Sequence, residues 1–171
     1  PIAAAALAYA IPSNRWPPLV LPIASAAQLA LVIQAIREGP ASIAGGWLVL
    51  DPLGMPVLLT VSVLFLCLAL YAPGYLRLRR NRPNRVFCAC LMLLMAMMSL
   101  VLFAHHLGLM WVAIEATTLA SGPLLYFNRN ARSLEATWKY LMVGSVGIAL
   151  ALLGSFFLLG AYVGLTVVNR T

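Results

Sequence analysis

The sequence predicts an all-α fold: a polytopic transmembrane helix bundle with five full spans plus one partial N-terminal helix. Three observations predict it. Of 171 residues, 63% are hydrophobic and 9% are charged, with a mean hydropathy of +0.97; a soluble domain carries about 25% charged residues. The apolar residues fall into runs of about 20, the length that crosses a bilayer as a helix. The breaks between runs are short, and arginines collect on alternate breaks, as the positive-inside rule requires. The length suits a single transmembrane domain over residues 1–171, with no room for a soluble one.

The opening stretch, PIAAAALAYAI, is too short to span. It begins with Pro1 and reads as the back half of a helix whose front is missing, so the chain is expected to be the N-terminal part of a longer subunit. No basic region precedes this run, so it does not read as a secretory signal. Pro12-Ser13-Asn14-Arg15 is a turn. Residues 18–36 form the next helix, whose strongly polar groups are Gln28 and Gln34. Residues 37–51 are rich in Gly and Pro and connect; Trp47 fits an interfacial anchor.

Asp51 is placed to cap the following helix, with Pro52 at its first position. That helix is expected to end near Tyr71, where Pro73-Gly74 interrupts it. A basic loop follows, and then residues 86–103, a helix without acidic or basic side chains. Its methionines suit soft packing against neighbours. Ala104-His105-His106 is a tight turn. The next helix runs from Leu107 to about Phe127, with Pro123 near its far end. Ser133 can cap the last helix, Glu135 sits in its first turn, and it continues to about Leu159 or later. Gly144, Gly147, Ala151 and Gly154 on it would let another helix approach closely.

The net charge of +7 does not indicate nucleic acid. Five of the eleven basic residues, Arg77, Arg79, Arg80, Arg82 and Arg85, crowd into one short loop between apolar runs. Arg15, Arg129 and Arg132 fall on the same side by helix count, against Arg37 and Arg170 opposite. The basic side is therefore expected to be cytoplasmic and the N-terminus outside, in the cell's inner (plasma) membrane. Cys67, Cys88 and Cys90 are odd in number and lie in apolar runs, so free thiols are expected. Cys88 and Cys90, two apart on a helix, face differently and do not make a metal pair. The chain has no GxGxxG, CxxC or GxxxxGK[ST] motif. No cofactor is expected in it, and redox chemistry falls to partners.

One residue conflicts with its surroundings. LGLMWVAIEATTLA, residues 107–120, carries Glu115 roughly 12 Å inside the helix end at Leu107. A charged residue at mid-bilayer costs roughly 2.5–3.5 kcal/mol on insertion scales. Glu115 therefore reads as a proton-relay carboxylate, or else as a neutral, hydrogen-bonded acid that fixes packing, with Thr117 and Thr118 at hand. Lys139 lies roughly 8–9 Å inside the last helix. It reads as a second proton station, fed from Glu115 through water, or as a lysine that snorkels to the interface. Glu135 is four residues before it, the favourable order for an ion pair. His105 and His106 at the membrane edge suit a proton entry point, or are merely solvated.

LGLMWVAIEATTLASGPLLYF followed by RSLEATWKYLMVGSVGIALALLGSFFL resembles the antiporter-like, proton-pumping membrane subunits of complex I, of multisubunit cation/proton antiporters and of membrane-bound NiFe hydrogenases. The wording is closest to hydrogenase-4 component F. LVLDPLG and LYAPGYL, on either side of the helix after Asp51, also resemble the family. The resemblance implies a bundle of about fourteen helices, of which this is the first third. It also implies that Glu115 matches the family's charge-pair glutamate and that Lys139 matches a lysine early in the sixth helix. The glutamate's partner lysine, on a later broken helix, falls beyond this sequence. The family often has an Asp-Asn-type pair where His105-His106 stand, so the resemblance assigns the histidines no role. The implied partners are other membrane subunits, a peripheral redox arm and the lipid bilayer. The expected function is proton translocation within an NADH–quinone oxidoreductase or hydrogenase-4 type complex; the alternatives are a sodium/proton antiporter subunit and a scaffold without transport. Any enzyme label belongs to the complex.

Overall fold

The structure, a computed structural model, describes residues 6, 17–39, 42–43, 47–78, 84–128 and 130–168. The partial first helix, the turn at Pro12–Arg15, most of the basic loop, Arg129 and Arg170 lie outside the described residues, Ala6 apart. Five described helices are long and apolar enough to cross a membrane. They are α1 (Pro17–Glu38), α2 (Gly54–Leu78), α3 (Asn84–Phe103), α4 (Leu107–Leu125) and α5 (Ala131–Val168). The protein is a multi-pass, all-α membrane protein.

Helix α1 starts on a proline, whose missing N–H costs nothing in the first turn. It ends on Gly39, which takes a φ of +88° and donates its N–H to the Ala35 carbonyl. A side chain in this left-handed conformation would be strained. The connection after it contains a small hairpin, β1 (Ser42–Ile43) against β2 (Leu48–Val49), antiparallel with Ser42 opposite Val49. Such short strands stand only with outside help. Leu48 forms a further bridge to Ala104, and the His105 N–H donates to the Trp47 carbonyl. The hairpin is thus tied to the turn between α3 and α4.

The first turn before α2 hangs on Asp51, whose carbonyl accepts from the N–H groups of Gly54 and Met55. Pro52 and Leu53 form a turn, and regular helix begins two residues later than expected. Pro73 does not end α2, which runs on to Leu78. Proline removes one N–H, whereas stopping a helix in hydrocarbon would strand many backbone groups. Packing beyond the proline rewards continuation: Leu76 is buried, and Tyr75 meets Phe87 and Phe127.

Helix α3 is central, packed by α1, α2 and α4. Its buried face, Cys88, Leu91, Met92, Met95, Ala96 and Ser99, repeats every three or four residues. Cys88, Leu91, Met92 and Met95 of this face form the main core with Leu21, Phe65, Ala69, Ala72, Leu76 and Phe127. Of the methionines, Met92 and Met95 are buried there, whereas Met98 is exposed. A smaller core of Val32, Leu50 and Leu58 closes the hairpin end. The three cysteines are free thiols.

Helix α4 passes into a 3-10 turn, Tyr126–Asn128, three residues after Pro123. Helix α5 starts at Ala131, two residues before the expected cap. Asn130 and Ser133 clasp each other instead: the Asn130 N–H donates to Ser133 Oγ at 3.0 Å, and that hydroxyl donates to the Asn130 carbonyl at 2.8 Å. Ser133 therefore acts from the third helical position, as in a capping box. The earlier start also moves Glu135 out of the first turn, where no acidic residue stands. Helix α5 has 38 residues, some 57 Å of rise by about 1.5 Å per residue. It runs well past Leu159 and packs against α4 and the 3-10 turn.

A candidate proton-transfer site between α4 and α5

The seam between α4 and α5 follows from helical spacing. Trp111, Glu115, Thr118 and Gly122 recur every three or four residues and share one face of α4. Leu141, Gly144, Ser145 and Ile148 share one face of α5. The short turn at 126–130 makes the helices antiparallel, so the two stripes meet head to tail. The Trp111 indole N–H donates to the Ile148 carbonyl at 3.2 Å. Ser145 Oγ donates to Glu115 Oε1 at 2.7 Å. A Cβ added to Gly144 would lie 3.1 Å from Thr118 Cγ2, and one added to Gly122 would lie 3.5 Å from Leu141. Ser121 Oγ donates to Tyr140 Oη at 3.0 Å and ends the seam.

Of the four small residues singled out on α5, only Gly144 serves this approach. Gly147 and Gly154 have nothing within 4 Å, and Ala151 is exposed. The stripe 147–151–154 is turned away from α4. The close contact is made one residue-phase to the side of it.

Glu115 is half-buried on this seam. Oε1 accepts from Ser145, while Oε2 is buried with no hydrogen-bond partner among the described residues. A buried, unsatisfied polar atom costs about 1–3 kcal/mol. Thr117 and Thr118 do not serve the acid: both hydroxyls donate to the Ile114 carbonyl of their own helix.

Lys139 and Glu115 are not brought together. Lys139 Nζ donates to Glu135 Oε1 at 2.5 Å, the i,i+4 pair that the spacing predicts, and the two side chains are 73% and 64% exposed. The seam register puts Lys139 level with Gly122, roughly 10 Å along the axis from Glu115. Six residues before Ser145, it is turned about 120° away from the face that meets α4.

His105 and His106 lie at the other end of α4, His106 roughly 13 Å from Glu115 by helical rise. Both are exposed. His106 is the N-cap: its Nδ1 accepts from the Gly108 N–H at 3.3 Å. Its ring stacks on Trp47, with centroids 4.7 Å apart and an interplanar angle of 11°. A cap of this kind is worth about 1 kcal/mol. His106 thus has a structural role at the start of α4, and Trp47 shields it from above.

Sequence reasoning missed Ser145 and Trp111. Ser145 follows Gly144 in the small-residue run. Counting outward from the turn at 126–130 sets it opposite Glu115, so the pair was there to be found.

Residues 104–170 match the transmembrane family described as NADH:quinone oxidoreductase/Mrp antiporter. A hydrogenase-4 component F homolog from Methylacidiphilum infernorum is 51% identical over 59 residues, which are 34% of this chain and 12% of that protein. The F(420)H(2) dehydrogenase subunit N of Methanosarcina mazei is 45% identical over 65 residues, 37% of this chain and 13% of that protein. The NADH-quinone oxidoreductase subunit N of Azoarcus sp. is 32% identical over 93 residues, 54% and 19% respectively. The chain thus matches less than a fifth of the length of each of these relatives. No solved structure matches it.

Proposed function

Because residues 104–170 match the NADH:quinone oxidoreductase/Mrp antiporter transmembrane family, we propose that this chain is part of a proton-translocating subunit of a membrane redox complex. The complex is of the NADH–quinone oxidoreductase or hydrogenase-4 type. The chain's partners are other membrane subunits and a peripheral arm that performs the electron transfer. It sits in the inner membrane, with its arginine-rich turns cytoplasmic, as the eight-to-two distribution of arginines favours.

The observation that carries this reading is Glu115. It is an acid in the middle of a 19-residue apolar helix, with one oxygen held by Ser145 and the other buried and without a hydrogen-bond partner among the described residues. A charged carboxylate is costly in the apolar part of a membrane, so an acid kept there is a functional candidate. In this role Glu115 takes a proton on one oxygen and releases it later, while an electrostatic change nearby alternates which form is favoured. Lys139, paired with Glu135 near the helix start, serves as a second station between Glu115 and the arginine-rich side.

Vesicles containing the intact complex separate the proton reading from sodium/proton exchange. Acidification driven by the redox reaction should be the same with and without sodium. A flux that vanishes when sodium is replaced by choline would favour the antiporter reading.

A further inference from the structure

We propose that Ser145 is a positioning residue that holds the Glu115 carboxyl group in place for its proton exchange; the inference rests on the role given to Glu115 above. It starts from how serines behave elsewhere in this bundle. Ser25, Ser62, Ser99 and Ser155 each turn the hydroxyl back to the carbonyl four residues earlier, on Leu21, Leu58, Met95 and Ala151, at 2.8–2.9 Å. Thr60 and Thr137 do the same to Pro56 and Ser133. This is the ordinary resting place of a hydroxyl inside a membrane helix. Ser145 departs from it. The Leu141 carbonyl is its equivalent acceptor, yet its hydroxyl crosses to Glu115 Oε1 at 2.7 Å.

Two neighbours make the crossing possible. Gly144 lets α5 approach so closely that a Cβ in its place would stand 3.1 Å from Thr118 Cγ2. The Trp111–Ile148 bond pins the axial register one turn away. The Ser145 hydroxyl therefore has two acceptors within a single χ1 rotation: a titratable one on α4 and a fixed one on its own helix.

The two acceptors rank differently in the two states of Glu115. A hydrogen bond to an ionised carboxylate is roughly twice as strong as one to a neutral oxygen. With Glu115 ionised, Ser145 is drawn across the seam. With Glu115 protonated, the advantage over the Leu141 carbonyl disappears, and the hydroxyl returns to its own helix without being stranded. Ser145 thus holds the carboxylate across the seam and can release it without leaving its own hydroxyl unpaired. It keeps its own proton throughout; the proton that moves is the one on the carboxyl group. Ionisable groups on the helices packed against α4 are Arg85, Cys88 and Cys90 on α3, and Arg132, Glu135, Lys139, Tyr140 and Tyr162 on α5. Among the described residues, the hydrogen bond that Glu115 accepts comes from Ser145.

The test is the pH profile of redox-driven proton uptake by the intact complex in proteoliposomes. Ser145→Ala removes the donor and adds no bulk. It should displace the profile, whereas a serine that only fills space would leave the profile in place. Ser145→Thr keeps a hydroxyl and should return the profile to its original position. An undisplaced profile in Ser145→Ala, or a displacement that Ser145→Thr fails to reverse, overturns the inference and leaves the role of Glu115 standing. Uptake that does not depend on Glu115 at all overturns both.

Discussion

Glu115→Gln in the intact subunit is expected to lower proton translocation by roughly 10²-fold or more, the usual scale for losing a proton-transferring side chain. The substitution is close to isosteric. The glutamine carbonyl still accepts from Ser145, and the α4–α5 packing around Gly144 is unaltered, so assembly should survive. Only titration is lost. That separates transport from scaffolding: a scaffold needs the hydrogen bond and not the proton. Glu115→Asp keeps a carboxyl group but draws it back by one methylene from Ser145, and should retain part of the activity. Translocation at the original rate by Glu115→Gln would leave Glu115 as a packing residue.

Gly144→Leu is expected to have the largest structural effect. Even a methyl group here would be tight, since a Cβ would stand 3.1 Å from Cγ2 of the branched, buried Thr118. A leucine must push α5 away from α4. Overpacking of this kind costs about 1–3 kcal/mol. Here the loss is concentrated, because α5 rests on α4 and the adjoining 3-10 turn. Separation also stretches the Ser145–Glu115 bond, so translocation falls together with thermal stability in detergent. Gly147→Leu, on the same helix but with nothing within 4 Å, is the matched comparison and should leave the α4–α5 contact intact. Equal effects of the two substitutions on the Ser145–Glu115 contact would show that the seam is not where the helices meet.

The spans were legible because membrane helices are written in composition: α3 and α4 begin and end within two residues of their apolar runs. Local signals misled where packing or solvent overrode them. Pro73 reads as a stop, but hydrocarbon rewards an unbroken helix. The hairpin at Ser42–Val49 was invisible, because its strands are two residues long and hold through Leu48, Trp47 and the turn at Ala104–His106, more than fifty residues away in sequence. The small residues of α5 announced a close approach without saying which of them makes it. That depends on the rotation of α5 about its axis, which the turn and the Asn130–Ser133 clasp set. Glu115 stood out by cost alone. Ser145 did not, because a serine in a membrane helix ordinarily satisfies itself.

The central claim is that the Glu115 carboxyl group gains and loses a proton. Infrared difference spectroscopy of the intact complex, with Glu115→Gln as the blank, measures this directly. A protonated-carboxyl C=O band that appears and disappears during turnover, and is missing in Glu115→Gln, is the predicted result. A Glu115 band that stays constant throughout turnover, or no band assignable to it in any state, would contradict the account.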